Sequence, residues 1–171
     1  MLAALLLLVS NQELSGTVVG VLDGDTIEVK TGPATVTRVR LADIDAPEKS
    51  QAFGQRAKEA LSRKVFGQEV EILMHNRDRY GRTVATVMNG DRNINLEMVQ
   101  DGMAWWYRQY SRNPNFGFAE AQARKLSKGL WIDQFAVPPW DFRHPSSRTT
   151  SKPSSSQSKS SSKSSSSKKK K

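Results

Sequence analysis

Short runs of apolar and β-branched residues, separated by turn-forming residues, dominate residues 16–88. These runs lie at 16–22, 26–29, 35–41, 70–74 and 83–88. The stretches between them include Asp23-Gly24 and Thr31-Gly32-Pro33, which are typical of turns. Short apolar or alternating runs bounded by turns are the pattern of β-strands, so the sequence predicts five short strands.

Apolar residues three or four positions apart predict helices between and after these strands. We expect helices at 53–65, ended by Gly67, at 96–100, closed by Gly102, and at 116–126. The apolar positions that define the first and last of them are Ala57, Ala60, Leu61 and Val65, and Ala119, Ala123 and Leu126. Five strands with one helix after the third and two after the fifth predict a small closed β-barrel with helices.

The two ends of the chain differ from this middle part. Residues 1–9 are apolar, too few to span a bilayer as a helix but typical of the apolar core of a secretory signal. No basic residue precedes them and no clear cleavage site follows, so a mis-assigned start codon or an apolar strand is the alternative. We expect a leader at 1–13, a folded domain at 14–143 and a tail at 144–171, with the protein secreted or held in the cell envelope.

The formal net charge of +9 is concentrated in the tail. Eight of the 26 Lys and Arg residues follow His144, where no acidic residue occurs, whereas the other basic residues nearly balance the 17 Asp and Glu residues. The tail consists almost only of Ser and Lys and buries no apolar area, so we expect it to be disordered. It either solubilises the protein or makes a weak, salt-sensitive contact with an anionic polymer.

Composition also removes several kinds of chemistry. The absence of cysteine excludes a disulfide scaffold, a zinc finger and a thiol nucleophile. The only histidines are His75, in a strand-like run where we expect a structural role, and His144, at the edge of the tail. No Ser-His-Asp arrangement is apparent, so covalent catalysis is disfavoured.

Three clusters of polar residues carry the candidate chemistry. The first, Asp23-Gly24-Asp25-Thr26, places carboxylates in a tight turn at the start of a strand. The second, 40–48, begins with an arginine and then crowds Asp43, Asp45 and Glu48 into one loop, and the third, 77–82, holds three arginines around Tyr-Gly. Taken singly, each has a plain alternative: a hairpin turn, a solvated acidic loop and an exposed charged hairpin.

Together the clusters supply the groups that phosphodiester hydrolysis requires. Crowded carboxylates repel one another unless a cation or an arginine compensates, and oxygen ligands alone select a hard cation such as Ca²⁺ rather than Zn²⁺. A further carboxylate can take a proton from water, while arginine forks match the oxygens of a phosphate. The pattern therefore indicates metal-assisted attack on a phosphodiester.

At these clusters, and in this order, the sequence resembles the staphylococcal nuclease (thermonuclease) family. The matching stretches cover about 130 residues and are VLDGDTIEV, RVRLADIDAPE, QAFGQRAKEAL, DRYGRTVA, NINLEMVQDGMAWWYRQYS and KGLWIDQFAVPPWDFR. The resemblance implies an α+β, mainly β fold, a five-stranded OB-type β-barrel with three α-helices, which agrees with the independent count of elements. It also implies a Ca²⁺-dependent endonuclease that hydrolyses DNA and RNA and leaves 3′-phosphoryl ends.

The resemblance further implies roles for individual residues. The cation ligands fall on Asp25, Asp45 and the backbone carbonyl of Ala46. The catalytic set falls on Arg40, Glu48 and Arg82, with Glu48 positioning or deprotonating the attacking water and the two arginines stabilising the phosphate. All these side chains keep their chemical type, whereas some nuclease-like domains lose them and only bind.

The substrate contacts that the resemblance implies fall on Arg79, Tyr80 and Tyr110. Trp106 and Tyr107 are rivals for the last position, because the register of the aromatic run at 105–110 is open and this run could equally pack into the core. The loop after Glu48 is short, and the longer lysine-rich loop of the family prototype is missing here. The resemblance therefore does not extend to the contacts with flanking nucleotides.

We therefore expect a monomeric Ca²⁺-dependent nuclease with DNA and RNA as substrates and no stable protein partner. One alternative is a noncatalytic OB-fold nucleic-acid-binding module with a polybasic tail. A second is a surface-adhesion protein whose tail binds an anionic polymer. The complete set of acids and arginines favours the enzyme.

Overall fold

The five predicted strands form, and they close on one another. The computed structural model describes residues 13–144. Its strands are β1 (Glu13–Val21), β2 (Thr26–Lys30), β3 (Val36–Leu41), β4 (Ile44–Asp45), β5 (Glu69–Arg77), β6 (Thr83–Asn89), β7 (Arg92–Asn93) and β8 (Trp105–Trp106). Its helices are α1 (Gly54–Val65), α2 (Ile94–Gln100), α3 (Pro114–Lys125) and α4 (Pro139–Arg143), with a 3-10 turn at Gly129–Ile132.

A parallel pairing between β3 and β6 turns the sheet into a barrel. The antiparallel order is β3-β2-β1-β5-β6, and the two end strands then pair directly, Val39 with Thr83 and Leu41 with Ala85. Because successive side chains on a strand point to opposite faces, one set of residues fills the interior. The wholly buried strand residues include Ile27, Val29, Val39, Ile72, Ala85 and Val87. The prediction of a mainly β fold with a closed five-stranded barrel is confirmed.

Helix α1 covers one end of the barrel through the face that the sequence indicated. Ala57, Ala60, Leu61 and Val65 are all buried. Helices α2 and α3 begin two residues earlier than expected, because Asn93 and Asn113 accept hydrogen bonds from the first turns as N-caps. The prediction that the last helix includes Leu126, on one face with Ala119 and Ala123, was wrong, since Leu126 follows α3 and is 61% exposed while the two alanines are buried.

A two-stranded pairing that the sequence did not indicate ties the loop after β3 to the aromatic run. Strand β4 pairs antiparallel with β8, so that Ile44 lies opposite Trp106 and Asp45 opposite Trp105. Trp105 in turn packs edge-on against Trp131, with the ring centres 4.4 Å apart. The expectation that the aromatic run packs into the protein therefore holds for Trp105, which is 6% exposed.

The leader predicted at 1–13 and the tail predicted at 144–171 lie almost wholly outside the described residues, and both stay predictions. Within residues 13–144, no helix has the length and apolar character needed to cross a membrane.

Candidate active site

Arg40 connects two of the predicted acidic residues at the mouth of the barrel. It lies on β3 directly opposite Thr26 of β2, which brings it beside the preceding Asp25. Its Nη1 donates to Asp25 Oδ2 at 2.6 Å and its Nη2 donates to Asp45 Oδ1 at 2.8 Å. One guanidinium therefore contacts both carboxylates, so the first two sequence clusters meet in space.

The turn between β3 and β4 brings Asp45 close to Asp25. Asp43 adopts a left-handed backbone conformation (φ 66°), which reverses the chain before β4, and its carbonyl accepts a hydrogen bond from Tyr107 N. Ala46 N donates to Asp25 Oδ2 at 3.0 Å. Ala46 is thus held beside the Asp25 turn by its backbone, in keeping with a role that needs no particular side chain.

A glycine is required at the centre of the Asp23-Gly24-Asp25 turn. A Cβ on Gly24 would lie 2.7 Å from the Cβ of Ala46 and 2.6 Å from that of Ala57, distances that side-chain carbons do not tolerate. The turn is therefore more than a hairpin signal, because its close approach to α1 and to the β4 segment places Asp25 within the cluster.

The acidic groups of this cluster titrate differently from free carboxylic acids. Burial alone raises the pKa of Asp25, but the charge of Arg40 and the hydrogen bond from Ala46 N outweigh it and hold that pKa below its ordinary value. Burial and the neighbouring charge of Asp25 raise the pKa of Asp23 to about 6. Burial also raises the pKa of Asp45, which is 1% exposed. The carboxylates around Arg40 can therefore carry more negative charge than its single positive charge neutralises.

Glu48 lies three residues beyond Asp45 and joins the same cluster through another arginine. Arg143 Nη1 lies 2.6 Å from Glu48 Oε1, and Arg143 Nη2 lies 2.7 Å from Asp45 Oδ2. The side chain of Glu48 is 39% exposed, so its carboxylate faces solvent at the edge of the buried pair. Asp25, Arg40, Asp45 and Glu48 thus converge at one site.

The third sequence cluster lies at the β5–β6 turn, and the strand that follows it runs beside β3, where Val84 pairs with Arg40. Arg82 Nε donates to Asp78 Oδ2 at 2.7 Å, and no hydrogen bond or ion pair among residues 13–144 joins Arg82 to Asp25, Asp45 or Glu48. The guanidinium carbons of Arg79 and Arg82 lie 4.9 and 5.6 Å from the centre of the Tyr80 ring. Tyr80 is 69% exposed and the Arg82 side chain is 25% exposed, so this turn presents an aromatic ring to solvent with two arginines beside it.

The aromatic run presents a second exposed ring. Tyr110 is 71% exposed, whereas its rivals Trp106 and Tyr107 are half-buried. Tyr107 packs edge-on against Tyr110 at 4.7 Å and stacks on Trp140 at 5.5 Å. Of the three candidates, Tyr110 offers the most ring surface for stacking with a base.

Comparison with known proteins assigns the family. Residues 38–133 match the family described as "Staphylococcal nuclease homologue". The chain belongs to the staphylococcal nuclease family. It is therefore a nuclease, an enzyme that hydrolyses the phosphodiester bonds of nucleic acids, and the family resemblance drawn from its motifs is confirmed.

Several relatives cover most of this nuclease. It is 47% identical over 126 residues to an "Uncharacterized endonuclease" of Haemophilus influenzae, an alignment that covers 74% of this chain and 71% of that protein. It is 44% identical to the "Micrococcal nuclease" of Shigella flexneri, with 87% and 93% of the two chains covered. A "Probable staphylococcal-like nuclease CAN1" of Oryza sativa subsp. japonica is 35% identical, but only 34% of that longer protein is covered.

Sequence reasoning missed Arg143 as a residue of this nuclease site. It placed Arg143 at the end of the folded domain and gave it no role, whereas the side chain reaches two of the predicted acids. The available signal was indirect: the Pro-Pro-Trp motif before it indicated an ordered, packed segment, and therefore a fixed position for the arginine that follows.

Glu120 was also missed. This glutamate is 1% exposed on α3, where it accepts hydrogen bonds from Trp106 N at 2.9 Å and from Arg124 Nη2 at 2.6 Å. It fixes β8, and through β8 the strand that carries Asp45. An acidic residue at a position of helical apolar spacing was the signal that could have pointed to it.

Proposed function

We propose that this nuclease is a Ca²⁺-dependent endonuclease that hydrolyses DNA and RNA and leaves 3′-phosphoryl ends. The observation that carries the proposal is the convergence of Asp25, Asp45 and Glu48 around Arg40 at one mouth of the barrel. Paired buried carboxylates next to a more exposed one provide a cation site and a base within one small region.

The residues present fit a hard divalent cation. Asp25 and Asp45 supply carboxylate oxygens, which Ca²⁺ prefers, and the backbone of Ala46, the residue after Asp45, lies beside Asp25 because its N donates to Asp25 Oδ2 at 3.0 Å. Four carboxyl groups, those of Asp23, Asp25, Asp45 and Glu48, lie near two guanidinium groups here, which leaves an excess of negative charge that a cation would relieve. Within residues 13–144, no three His, Cys, Asp or Glu side chains are arranged to hold a metal by themselves. The proposed site accordingly uses two side chains and one carbonyl.

The proposed chemistry assigns distinct tasks to the surrounding side chains. A bound cation would polarise a phosphate oxygen and the attacking water. Glu48, whose side chain is 39% exposed, would orient that water and accept its proton as general base. Arg40 and Arg82 would stabilise the charge that grows on the phosphate, to which a guanidinium fork is well matched.

Tyr80, Arg79 and Tyr110 are proposed to hold the rest of the substrate. Both tyrosine rings are more than two-thirds exposed, and stacking of a base on an aromatic ring does not depend on the base sequence. The two arginines beside Tyr80 would meet the phosphate backbone. This arrangement suits an enzyme that acts on nucleic acids without base readout.

Secretion or residence in the cell envelope, a monomeric state, the absence of a stable protein partner and a weak contact of the tail with anionic polymers are further proposals. The first rests on the apolar residues 1–9 and the last on the basic residues after His144.

Plasmid digestion with and without Ca²⁺ tests the proposal. EGTA should abolish cleavage and added Ca²⁺ should restore it. Glu48→Gln and Arg82→Ala should each lower kcat by orders of magnitude, about 100-fold or more, with the fold retained. Glu59→Gln, a change to an exposed glutamate on α1, is the matched control and should cleave normally. Equal turnover in Glu48→Gln would refute the site assignment.

The same variants separate the enzyme from a noncatalytic OB-fold nucleic-acid-binding module. A binding module would bind DNA without releasing fragments, whatever residue stands at position 48. The ends can be tested directly: 3′-phosphoryl fragments should resist extension by a polymerase until a phosphatase has removed the phosphate.

A further inference from the structure

Residues 137–143, here called the C-terminal strap, are fastened across the mouth of the barrel. Val137 O accepts a hydrogen bond from Gln51 Nε2 at 2.5 Å, and Pro139 is buried. The Trp140 ring stacks on Tyr107, with ring centres 5.5 Å apart and planes 2° from parallel. These contacts fix the position of the strap residues that precede Arg143, the last residue of the strap, whose side chain contacts the carboxylates.

Arg143 forms a fork over two acids that the proposed function uses. Its Nη1 lies 3.2 Å from Asp45 Oδ1 and its Nη2 lies 2.7 Å from Asp45 Oδ2, while Nη1 also lies 2.6 Å from Glu48 Oε1. The Arg143 side chain is 33% exposed, and the hydrogen bonds to Asp45 raise its pKa further, so the guanidinium is always charged.

Glu48 depends on the strap for its position. It lies outside any helix or strand, and among residues 13–144 its carboxylate pairs with Arg143 alone. Its backbone N donates to Gln51 Oε1 at 3.1 Å, and the same Gln51 side chain donates to Val137. The strap therefore holds Glu48 directly through Arg143 and indirectly through Gln51, which restricts a carboxylate that would otherwise sample several rotamers.

Asp45 has the opposite relationship to Arg143. Both of its carboxylate oxygens accept hydrogen bonds from guanidinium groups, Oδ1 from Arg40 and from Arg143, and Oδ2 from Arg143. For an Asp45 oxygen to ligate a cation, the cation must take the place of a guanidinium N–H at that oxygen. Arg143 therefore stands in competition with a cation for Asp45, but not for Glu48.

We infer that Arg143 is a positioning residue of the nuclease site, which holds Glu48 in place for catalysis and releases Asp45 when a divalent cation binds. The inference rests on the proposed function, in that it takes Asp45 as a cation ligand and Glu48 as the base. It gives one side chain two effects of opposite sign: Arg143 weakens cation binding and increases turnover.

Arg143→Ala in the full chain tests both effects. Turnover should fall about tenfold, as is typical when a residue that orients a catalytic group is lost, with KM little changed. Affinity for Ca²⁺ alone, measured by calorimetry without nucleic acid, should rise several-fold. Arg143→Lys keeps the charge but loses the fork, so its turnover and its Ca²⁺ affinity should lie between those of the wild type and Arg143→Ala.

Arg112→Ala is the matched control for loss of one positive charge. Its side chain is exposed and donates only to the carbonyl of Arg108 among residues 13–144, so turnover and Ca²⁺ affinity should match the wild type. If it tightened Ca²⁺ binding as much as Arg143→Ala does, the effect would be one of overall charge and the inference would fail.

The remaining outcomes also decide. Turnover and Ca²⁺ affinity falling together in Arg143→Ala would indicate a merely structural role, and no change in either would make Arg143 a bystander. Tighter Ca²⁺ binding with undiminished turnover would leave competition without positioning; each of these overturns the inference. Should Arg143→Ala fail to fold, as judged by circular dichroism, Arg143→Lys decides by the same comparison. Failure of the wild type to cleave DNA, or full activity of Glu48→Gln, would instead refute the proposed function.

Discussion

Arg40 Nη1 lies 2.6 Å from Asp25 Oδ2, and the two side chains are only 13% and 10% exposed. Both members of such a pair are needed for stability, because either one alone would be a buried charge without a compensating partner. The same guanidinium contacts Asp45, whose side chain is 1% exposed. Arg40 therefore supports the fold of the barrel mouth in addition to its proposed contact with phosphate.

Arg40→Ala should destabilise the protein by about 3 to 5 kcal/mol, the usual cost of removing one member of a buried ion pair. Urea unfolding at neutral pH measures this loss. Arg38→Ala is the matched control on the same strand, because the Arg38–Glu28 pair has an arginine side chain 56% exposed and should contribute about 1 kcal/mol or less. Equal losses in the two variants would contradict the importance given to Arg40.

Gly54→Ala should impair catalysis without changing any charged residue. A Cβ on Gly54 would collide with the carbonyl of Glu48 and approach Lys49 Cα to 3.2 Å, so the segment that carries Glu48 must move. Gly32→Ala is the control, since a Cβ there meets only the Thr35 side chain, at 3.5 Å. We expect kcat to fall in the first variant alone; normal turnover in Gly54→Ala would mean that the position of Glu48 is not critical.

Glu97 should contribute stability that is lost in acid. Hydrogen bonds from Arg92 and then from Lys64 lower its pKa from 4.5 to about 2. Between these values the unfolded state binds more protons than the folded state, so stability falls as the pH falls through this window. Glu97→Gln should have a lower Tm than the wild type at neutral pH and the same Tm near pH 2. A Tm difference that persists unchanged into acid would count against this linkage.

Deleting residues 146–171 should weaken the salt dependence of nucleic-acid binding. The segment holds eight basic residues, and each phosphate that a basic residue neutralises adds about 0.9 to the slope of log affinity against log salt. Binding would be measured with the Glu48→Gln variant to prevent cleavage. A tail of the same length with its basic residues replaced by serine should behave like the deletion. An unchanged slope would favour a tail that only solubilises.

The barrel and half of the site were within reach of sequence reasoning because they depend on local pattern. Period-two runs and turn residues indicated all five barrel strands, and helical spacing indicated the buried face of α1. The antiparallel pairing of β2 with β3, which sets Arg40 opposite Thr26, follows from a short hairpin connection. The meeting of Asp25 with Arg40 is therefore a consequence of neighbouring elements.

The rest depends on contacts between distant parts of the chain, which periodicity does not encode. The pairing of β4 with β8 joins two strands of two residues each, too short to show alternation. Leu126 fits the helical spacing, yet α3 ends one residue before it and leaves it in solvent. Arg143 and Asp45 are 98 positions apart in the sequence, and no feature of the residues next to Arg143 indicates that it contacts Asp45.

The separation of 98 positions between Arg143 and Asp45 also affects the order in which contacts form during folding. Contacts between distant residues require the closure of long loops and tend to form late, and a chain made on the ribosome presents its N-terminal part first. The barrel can pair its strands before the strap exists, whereas Glu48 acquires its partner only once Arg143 has been made and the strap has docked. We expect a newly made chain, surrounded by the nucleic acids of the cell that makes it, to become a competent nuclease only after the strap has docked.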